Sequence, residues 1–384
     1  MPEIKPDARH YPALDGLRGM AALMIVWHHF LQLTPVHEVW LSHIARVLGF
    51  AWVGVDLFFV LSGFLITGIL ADSKYGKQYF RTFYGRRILR IFPLYYAILI
   101  VVLLVLPAAG VPTGVSPLAH IFFWTYTSNF YFASHGWYAN YLAHLWTLAI
   151  EEQFYLVWPL VIFFATSLER LRVGLLWTFL SVTLLRCILY FSGVGFTTLY
   201  LSTETHCDAL ILGGYLALSV RSLTPGALKG LRPNKWVATS FLLLALIVLN
   251  EDGLFPVWDN LRLVSFTRNM ITLPLLAILF VWLIHAVTNR TSGRIARVFS
   301  HPVLRWFGKY SYALYVLHVP IAYWILRSDV PFLSSIEILA EVELFLLYFG
   351  ACTLAAFLSW HLYEKHFLKL KRYFANADDR GSTV

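Results

Sequence analysis

The sequence predicts an all-α protein, a polytopic bundle of about ten transmembrane helices with both termini in the cytoplasm. Three observations predict this fold class. Hydrophobic residues make up 59% of the 384 positions, and charged residues make up only 13%. The apolar residues gather in runs about twenty residues long, which is the length of a membrane-spanning helix. Lysine and arginine gather in the short segments between alternate runs. This composition excludes an ordinary soluble domain and a disordered chain.

Each apolar run of about twenty residues is interpreted as one span. The predicted spans cover residues 14–34, 51–71, 91–110, 144–166, 173–191, 204–221, 236–250, 268–287, 309–327 and 336–360. Residues 1–372 are expected to form one membrane domain, and residues 373–384 a short, disordered cytoplasmic tail. No stretch of the sequence is long and polar enough to predict an appended soluble domain.

The distribution of the 30 lysine and arginine residues predicts the orientation. With these spans, all but five of them fall on the side that carries both termini, and the exceptions are Arg46, Arg186, Arg262, Arg268 and Arg327. Such asymmetry places both termini in the cytoplasm, with membrane lipids as partners of the spans. Because the basic residues flank apolar runs, nucleic acid is not expected as a partner. The long segment 111–143 is then external, and it is expected to fold over a site.

The first span carries the most informative pair of residues. Arg18 and His29 are eleven residues apart, which is three helical turns plus about 20°, so both project from one face. Their separation along the axis is about 16 Å. Ionisable groups inside a span indicate a functional site. The alternative is that Arg18 reaches the lipid headgroups and that His29 packs against polar neighbours. His28 points about 100° away from His29.

Other ionisable groups fall at a depth similar to that of His29. They are Asp56 in the second span, Glu151 and Glu152 in the fourth, and His206 and Asp208 in the sixth. Lipid exposure of each charge is costly, so these groups are expected to face a common interior cavity. A histidine beside a carboxylate is a general-base pair, in which the carboxylate fixes the tautomer and stabilises the imidazolium. A proton relay in a transporter would use the same groups, and the residues alone leave both functions open.

Two further stretches have an ordinary interpretation beside a functional one. Arg86, Arg87 and Arg90 precede the third span, where clustered guanidinium groups could bind phosphate bidentately. That stretch alone favours a plain positive-inside flank. His318 in the ninth span is interpreted as a structural histidine bonded to a helix carbonyl. The three cysteines give neither a disulfide framework nor a metal-binding spacing, so no metal is predicted.

Together these stretches resemble the acyltransferase-3 family of integral membrane acyltransferases. The resemblance covers the whole chain in the right order. It rests on the arginine–ten residues–histidine pattern of Arg18 and His29, the GVDLFFVLSGFLI segment at 54–66, RRxxRIxPxYY at 86–96, WTLxxEEQFY at 146–155 and SYxLYxxHxP at 311–320. It implies ten spans and an enzyme that transfers an acyl group, commonly acetyl, from cytoplasmic acyl-CoA. The implied acceptor is a hydroxyl of a surface glycan or of its lipid-linked precursor.

The resemblance also implies roles for the residues already singled out. His29 would be the general base, assisted by Glu151 or Asp56. Acetyl-CoA would be a donor substrate rather than a bound cofactor, held through its phosphates by Arg18, Arg87 and Arg90. The acceptor would lie against Trp146, Glu152, Tyr155 and Asp208. A proton-coupled transporter and a non-catalytic scaffold are the alternatives. The chain departs from the family at His206, where members often carry arginine, and at Glu364-Lys365-His366, where they often carry Glu-Arg-Pro.

Overall fold

The computed structural model describes residues 11–33, 49–138, 140–222, 266–289, 291, 293–327 and 337–374. Every regular element within these residues is a helix. The eleven principal helices are α1 (Pro12–Leu33), α2 (Gly54–Ser73), α3 (Tyr79–Ile100), α4 (Pro117–Trp124), α5 (Ser128–His135), α6 (Trp146–Phe164), α7 (Leu168–Phe191), α8 (Asp208–Arg221), α9 (Leu273–Asn289), α10 (Pro302–Arg327) and α11 (Glu337–Ser359). The prediction of an all-α fold is confirmed for the described residues.

Short helical segments continue or connect these helices. Wider, π-type turns cover Val101–Val105, Arg268–Thr272 and Trp360–Glu364, and tight 3₁₀ turns cover Gly49–Val53, Ala143–Leu145 and Leu370–Phe374. Brief α-helical pieces cover Leu106–Ala108, Phe196–Leu201, Thr203–His206, Arg294–Phe299 and Lys365–Lys369.

Six of the described helices are long and apolar enough to cross a membrane. They are α2, α3, α6, α7, α9 and α11, counted with the helical turns that extend them. The predicted first, sixth and ninth spans also fall on helices, namely α1, α8 and α10. The predicted seventh span, 236–250, lies outside the described residues. The multi-helix membrane architecture is therefore supported, while the count of ten spans and the orientation stay predictions.

Small residues allow the helices around the site to pack closely. A Cβ atom added at Gly19 of α1 would lie 2.0 Å from the carbonyl oxygen of Leu304, and one added at Gly308 of α10 would lie 1.9 Å from that of Asp15. Only glycine permits such close contact between two helix backbones. Among the described helices α1 packs most extensively against α10. This packing sets the polar groups of α1 beside those of α10.

The segment 111–143 is more ordered than a plain loop, because it contains α4 and α5. It also bonds to its neighbours through side chains. Asn129 donates its amide N–H to the Leu201 carbonyl oxygen at 3.1 Å, and Gln153 of α6 donates to the Tyr126 carbonyl oxygen at 2.8 Å. These bonds hold the segment against the first half of α6 and against the helical piece that ends at Leu201.

Candidate active site

Two cavities lie side by side within the bundle. The first, called here the arginine cavity, contains about 700 Å³ of space including its part open to solvent, and its polar lining residues are Arg18, Ser62, Arg87, Arg90, Thr147, Glu151, Tyr155, Ser311, Tyr312 and Tyr315. The second, called the histidine cavity, contains about 1070 Å³ measured in the same way, and its lining residues include His28, His29, Gln32, Trp52, Trp137, Trp146, Tyr200 and Arg268. Ile25 of α1 and Val55 of α2 line both cavities. The two spaces therefore adjoin at one shared wall.

The three predicted arginines meet in the arginine cavity. Arg18 comes from α1, whereas Arg87 and Arg90 come from near the middle of α3. Arg18 lies 3.7 Å from the carboxylate of Asp15, and the guanidinium of Arg87 lies 5.4 Å from the ring centre of Tyr155. Three cations around one open space repel each other, and an anion placed among them would relieve that repulsion. The arrangement suits a phosphate-bearing ligand.

Glu151 lies with these arginines rather than with His29. The hydroxyl of Ser62 donates to Glu151 Oε1 at 2.7 Å, and the hydroxyl of Tyr155 donates to Ser62 Oγ at 3.0 Å. The expected pairing of Glu151 with His29 is therefore absent from the described geometry. The reason is rotational, because Glu151 faces α2 and the arginine cavity while His29 opens to the neighbouring one.

Asp56 and Asp208 belong to a different group, called here the buried ion cluster, with His206 and Arg186. Asp56 Oδ1 lies 3.3 Å from His206 Nε2, and Arg186 Nη2 donates to Asp208 Oδ2 at 2.5 Å. Each of the four side chains is at most 1% exposed. Neither aspartate lines either cavity, so the expectation that Asp56 orients His29 is also not met. The arginine beside Asp208 is thus Arg186 of α7, and position 206, where a family arginine was noted in the sequence, holds His206 beside Asp56.

The partner of His29 is another histidine. His29 Nδ1 lies 3.1 Å from the Ile25 carbonyl oxygen and 3.2 Å from His318 Nε2. His318 does bond a helix carbonyl, as predicted, since its Nδ1 lies 2.6 Å from the Tyr315 oxygen. The sequence interpretation missed its second contact. It also missed His144, whose ring centre lies 4.9 Å from that of His318.

The residues expected on the acceptor side are divided between the cavities. Trp146 lines the histidine cavity, where its ring stacks near His206 with 5.8 Å between ring centres. Tyr155 lines the arginine cavity. Glu152 lines neither cavity, although it neighbours Glu151 in sequence, because consecutive helix residues point about 100° apart. Arg268 was not predicted to be a site residue, yet it lines the histidine cavity and lies over Trp52.

The fold and the site together define a helical membrane protein with a cationic cavity adjoining a histidine-bearing one. The chain belongs to the acyltransferase-3 family: its residues 11–364 match the domain described as "Acyltransferase domain". The resemblance seen in the sequence is thereby confirmed, and the prediction of an acyltransferase is confirmed at the level of the family.

Curated relatives give the same assignment. The chain is 31% identical over 361 residues to the O-acetyltransferase OatA of Staphylococcus aureus (strain NCTC 8325 / PS 47), covering 86% of the chain and 54% of OatA. It is 30% identical over 344 residues to YrhL of Bacillus subtilis (strain 168), provisionally named a peptidoglycan O-acetyltransferase, covering 82% of the chain and 49% of YrhL. The chain thus spans about half the length of these relatives. No solved structure matches it. The transporter alternative gains no support from these comparisons.

Proposed function

We propose that the protein is a membrane O-acyltransferase that moves an acyl group, of acetyl size, from acyl-CoA to a hydroxyl of a saccharide. The observation that carries this proposal is the pair of adjoining cavities, one lined by three arginines and the other by His29. A phosphate-rich donor suits the cavity lined by arginines, and a hydroxyl-rich acceptor suits the cavity that holds His29. The saccharide acceptor is proposed by likeness to YrhL, whose name refers to peptidoglycan.

The donor occupies the arginine cavity in this proposal. Arg18, Arg87 and Arg90 bind the phosphates of acyl-CoA through their planar guanidinium groups. The axial distance from Arg18 to His29 is about 16 Å, comparable to the pantetheine arm of CoA. The thioester would then reach the shared wall at Ile25 and Val55. With the predicted orientation, this cavity opens to the cytoplasm of a bacterial inner membrane, where acyl-CoA is present.

The acceptor occupies the histidine cavity. The aromatic side chains of Trp52, Trp137, Trp146 and Tyr200 line it, and their flat apolar faces suit the carbon faces of sugar rings. Trp137 belongs to the segment that follows α5 and is 45% exposed, so it stands at the open edge of the cavity. This position agrees with the expectation that segment 111–143 covers a site.

The chemical step requires one base, and His29 is the proposed one. It removes the proton of the acceptor hydroxyl as the oxygen attacks the thioester carbonyl carbon. The carbon–sulfur bond then breaks, and the same proton passes from His29 to the leaving sulfur. The products are the ester and free CoA thiol, so no further reactant is needed.

The direct test follows labelled acetyl from acetyl-CoA onto saccharide in membranes that contain each variant. His29→Ala should lower transfer by about 10²–10⁴-fold, the usual contribution of a general base, while insertion stays normal. His28→Ala is the matched comparison and should lose less, because its ring points about 100° away. Full transfer by His29→Ala would support the scaffold alternative, and solute flux without acetyl-CoA consumption by the wild type would support the transporter.

The orientation is tested separately with single cysteines in a variant that lacks the three native ones. Ser134→Cys lies on the exposed end of α5, and Lys77→Cys lies in the exposed turn before α3. A membrane-impermeant maleimide should label position 134 in intact cells and position 77 only after permeabilisation. The reverse pattern would put the arginine cavity on the outside and contradict the proposed donor side.

A further inference from the structure

The contact between His29 and His318 assigns a proton position that the sequence left open. His318 Nδ1 lies 2.6 Å from the Tyr315 carbonyl oxygen, which can only accept, so this nitrogen carries a hydrogen. In the neutral ring, His318 Nε2 then carries a lone pair. Because that lone pair faces His29 Nδ1 at 3.2 Å, His29 Nδ1 must be the donor. The Ile25 carbonyl oxygen, 3.1 Å from the same nitrogen, requires the same assignment.

This assignment leaves the lone pair of His29 on Nε2. A neutral imidazole has one protonated nitrogen and one basic nitrogen. With Nδ1 occupied by two acceptors of the helical bundle, Nε2 is the basic atom. His29 lines the histidine cavity, so the base is available to a ligand there. An ordinary histidine–carboxylate pair fixes the tautomer in the same way, except that here the acceptor is a neutral ring.

His144 completes the polar surroundings of this pair. Its Nε2 lies 3.2 Å from the carbonyl oxygen of Val316, which is available because Pro320, four residues later, has no N–H to bond it. The ring centres of His144 and His29 are 6.3 Å apart. Although three imidazoles gather here, the described residues contain no group of three side chains arranged to hold a metal ion. Each of the three rings bonds a backbone carbonyl through one of its two nitrogens, so that nitrogen is not available to a metal ion.

We propose that His318 is the positioning residue of His29, in the place where a carboxylate is expected; this inference rests on the proposed function. When His29 takes the hydroxyl proton on Nε2, its Nδ1–H bond to His318 becomes charge-assisted and therefore stronger. His318 lowers the energy of the transition state through that bond and does not itself touch the substrate. The proton travels from hydroxyl to His29 Nε2 to the CoA sulfur, and His318 keeps its own hydrogen throughout.

Among the described residues, few other titratable groups face this pair. His28 lies beside His29 on α1, Tyr315 lies one turn before His318 on α10, and His144 approaches from the turn before α6. Arg268 lies on another wall of the histidine cavity. The hydroxyl of Tyr315 is engaged by the His144 carbonyl oxygen at 2.6 Å. The pH dependence of His29 should therefore respond to His318 before any carboxylate.

The test compares His318→Leu with His318→Gln. Leucine offers no acceptor, so kcat should fall by about 10–100-fold, which is the contribution of a hydrogen bond to a charged group. The KM for acetyl-CoA and the KM for the saccharide should change little. The acid limb of the pH–rate profile should also move to lower pH, because the protonated His29 ring loses a partner. Glutamine retains an acceptor oxygen of similar reach but cannot titrate, and it should restore most of the rate.

The outcomes separate this inference from the proposed function. Wild-type membranes without any acetyl transfer would overturn the proposed function and with it this inference. If the wild type transfers acetyl and His318→Leu has the same kcat and pH profile, only the positioning role is overturned. Equal losses in both His318 variants, with an unshifted acid limb, would mean that His318 only packs. His144→Leu is the comparison variant, and it should leave the acid limb closer to that of the wild type.

Discussion

The buried ion cluster and the arginine cavity both place charged groups inside an apolar bundle, yet they differ in what surrounds the charges. In the cluster, Arg186 and Asp208 are 0% and 1% exposed and bond to each other at 2.5 Å. In the arginine cavity, Arg18 and Arg87 face an open space of about 700 Å³. In a buried ion pair the two charges compensate each other and leave no room for a ligand, whereas cations around an open space can bind one. Ionisable residues in apolar helices therefore indicate a binding site only where such a space exists.

The largest effect expected from this comparison is on stability. Replacing Arg186 by leucine leaves the Asp208 carboxylate buried without its partner, which typically costs about 3–5 kcal/mol. The variant should accumulate poorly in membranes and unfold at a lower temperature in detergent. Arg172→Leu is the matched control, because its partner Glu169 is exposed and such pairs contribute about 1 kcal/mol or less. An Arg186→Leu protein as stable as the wild type would show that the pair is not structural.

The next effect should appear in donor binding and not in stability. Arg87→Lys retains the charge and loses the planar fork that binds phosphate in two places, so the Kd for acyl-CoA should rise by about tenfold, or about 1.4 kcal/mol. Isothermal titration on purified protein measures it. Arg81→Lys is the control, since Arg81 lies on the same helix but over the ring of Phe374. If Arg87→Lys binds acyl-CoA as tightly as the wild type, Arg87 acts only as a positive-inside anchor of its helix.

The smallest effect concerns Glu151. Its carboxylate accepts from Ser62 in the arginine cavity, so Glu151→Gln should change donor affinity by no more than about 1 kcal/mol, because water in an open cavity screens the charge. The acid limb of the pH–rate profile should stay in place, since the acceptor of the His29 N–H is His318. If the acid limb of Glu151→Gln moves as that of His318→Leu does, the Glu151 carboxylate is the partner of His29 after all.

Much of the fold could be predicted from the sequence because apolar length and composition are local properties. The first predicted span, 14–34, coincides with α1 at Pro12–Leu33, and the fifth, 173–191, falls within α7. The site was predicted less completely. The meeting of Arg18 with Arg87 and Arg90 follows from their common side of the membrane, and the structure brings them to one cavity. The depth of a residue along its helix did not predict which side chains contact His29, Asp56 and Asp208.

The sequence by itself determined that the chain forms apolar helices, which of them carry ionisable groups, and at what depth along the helix axis each group lies. It also determined the family, because the motifs occur in order along one chain. Only the tertiary structure decided the pairings. Depth leaves open the rotation of each helix and the identity of its neighbours, and the glycine contacts between α1 and α10 set both. Those contacts place His318 beside His29, and the rotation of α6 turns Glu151 away from it.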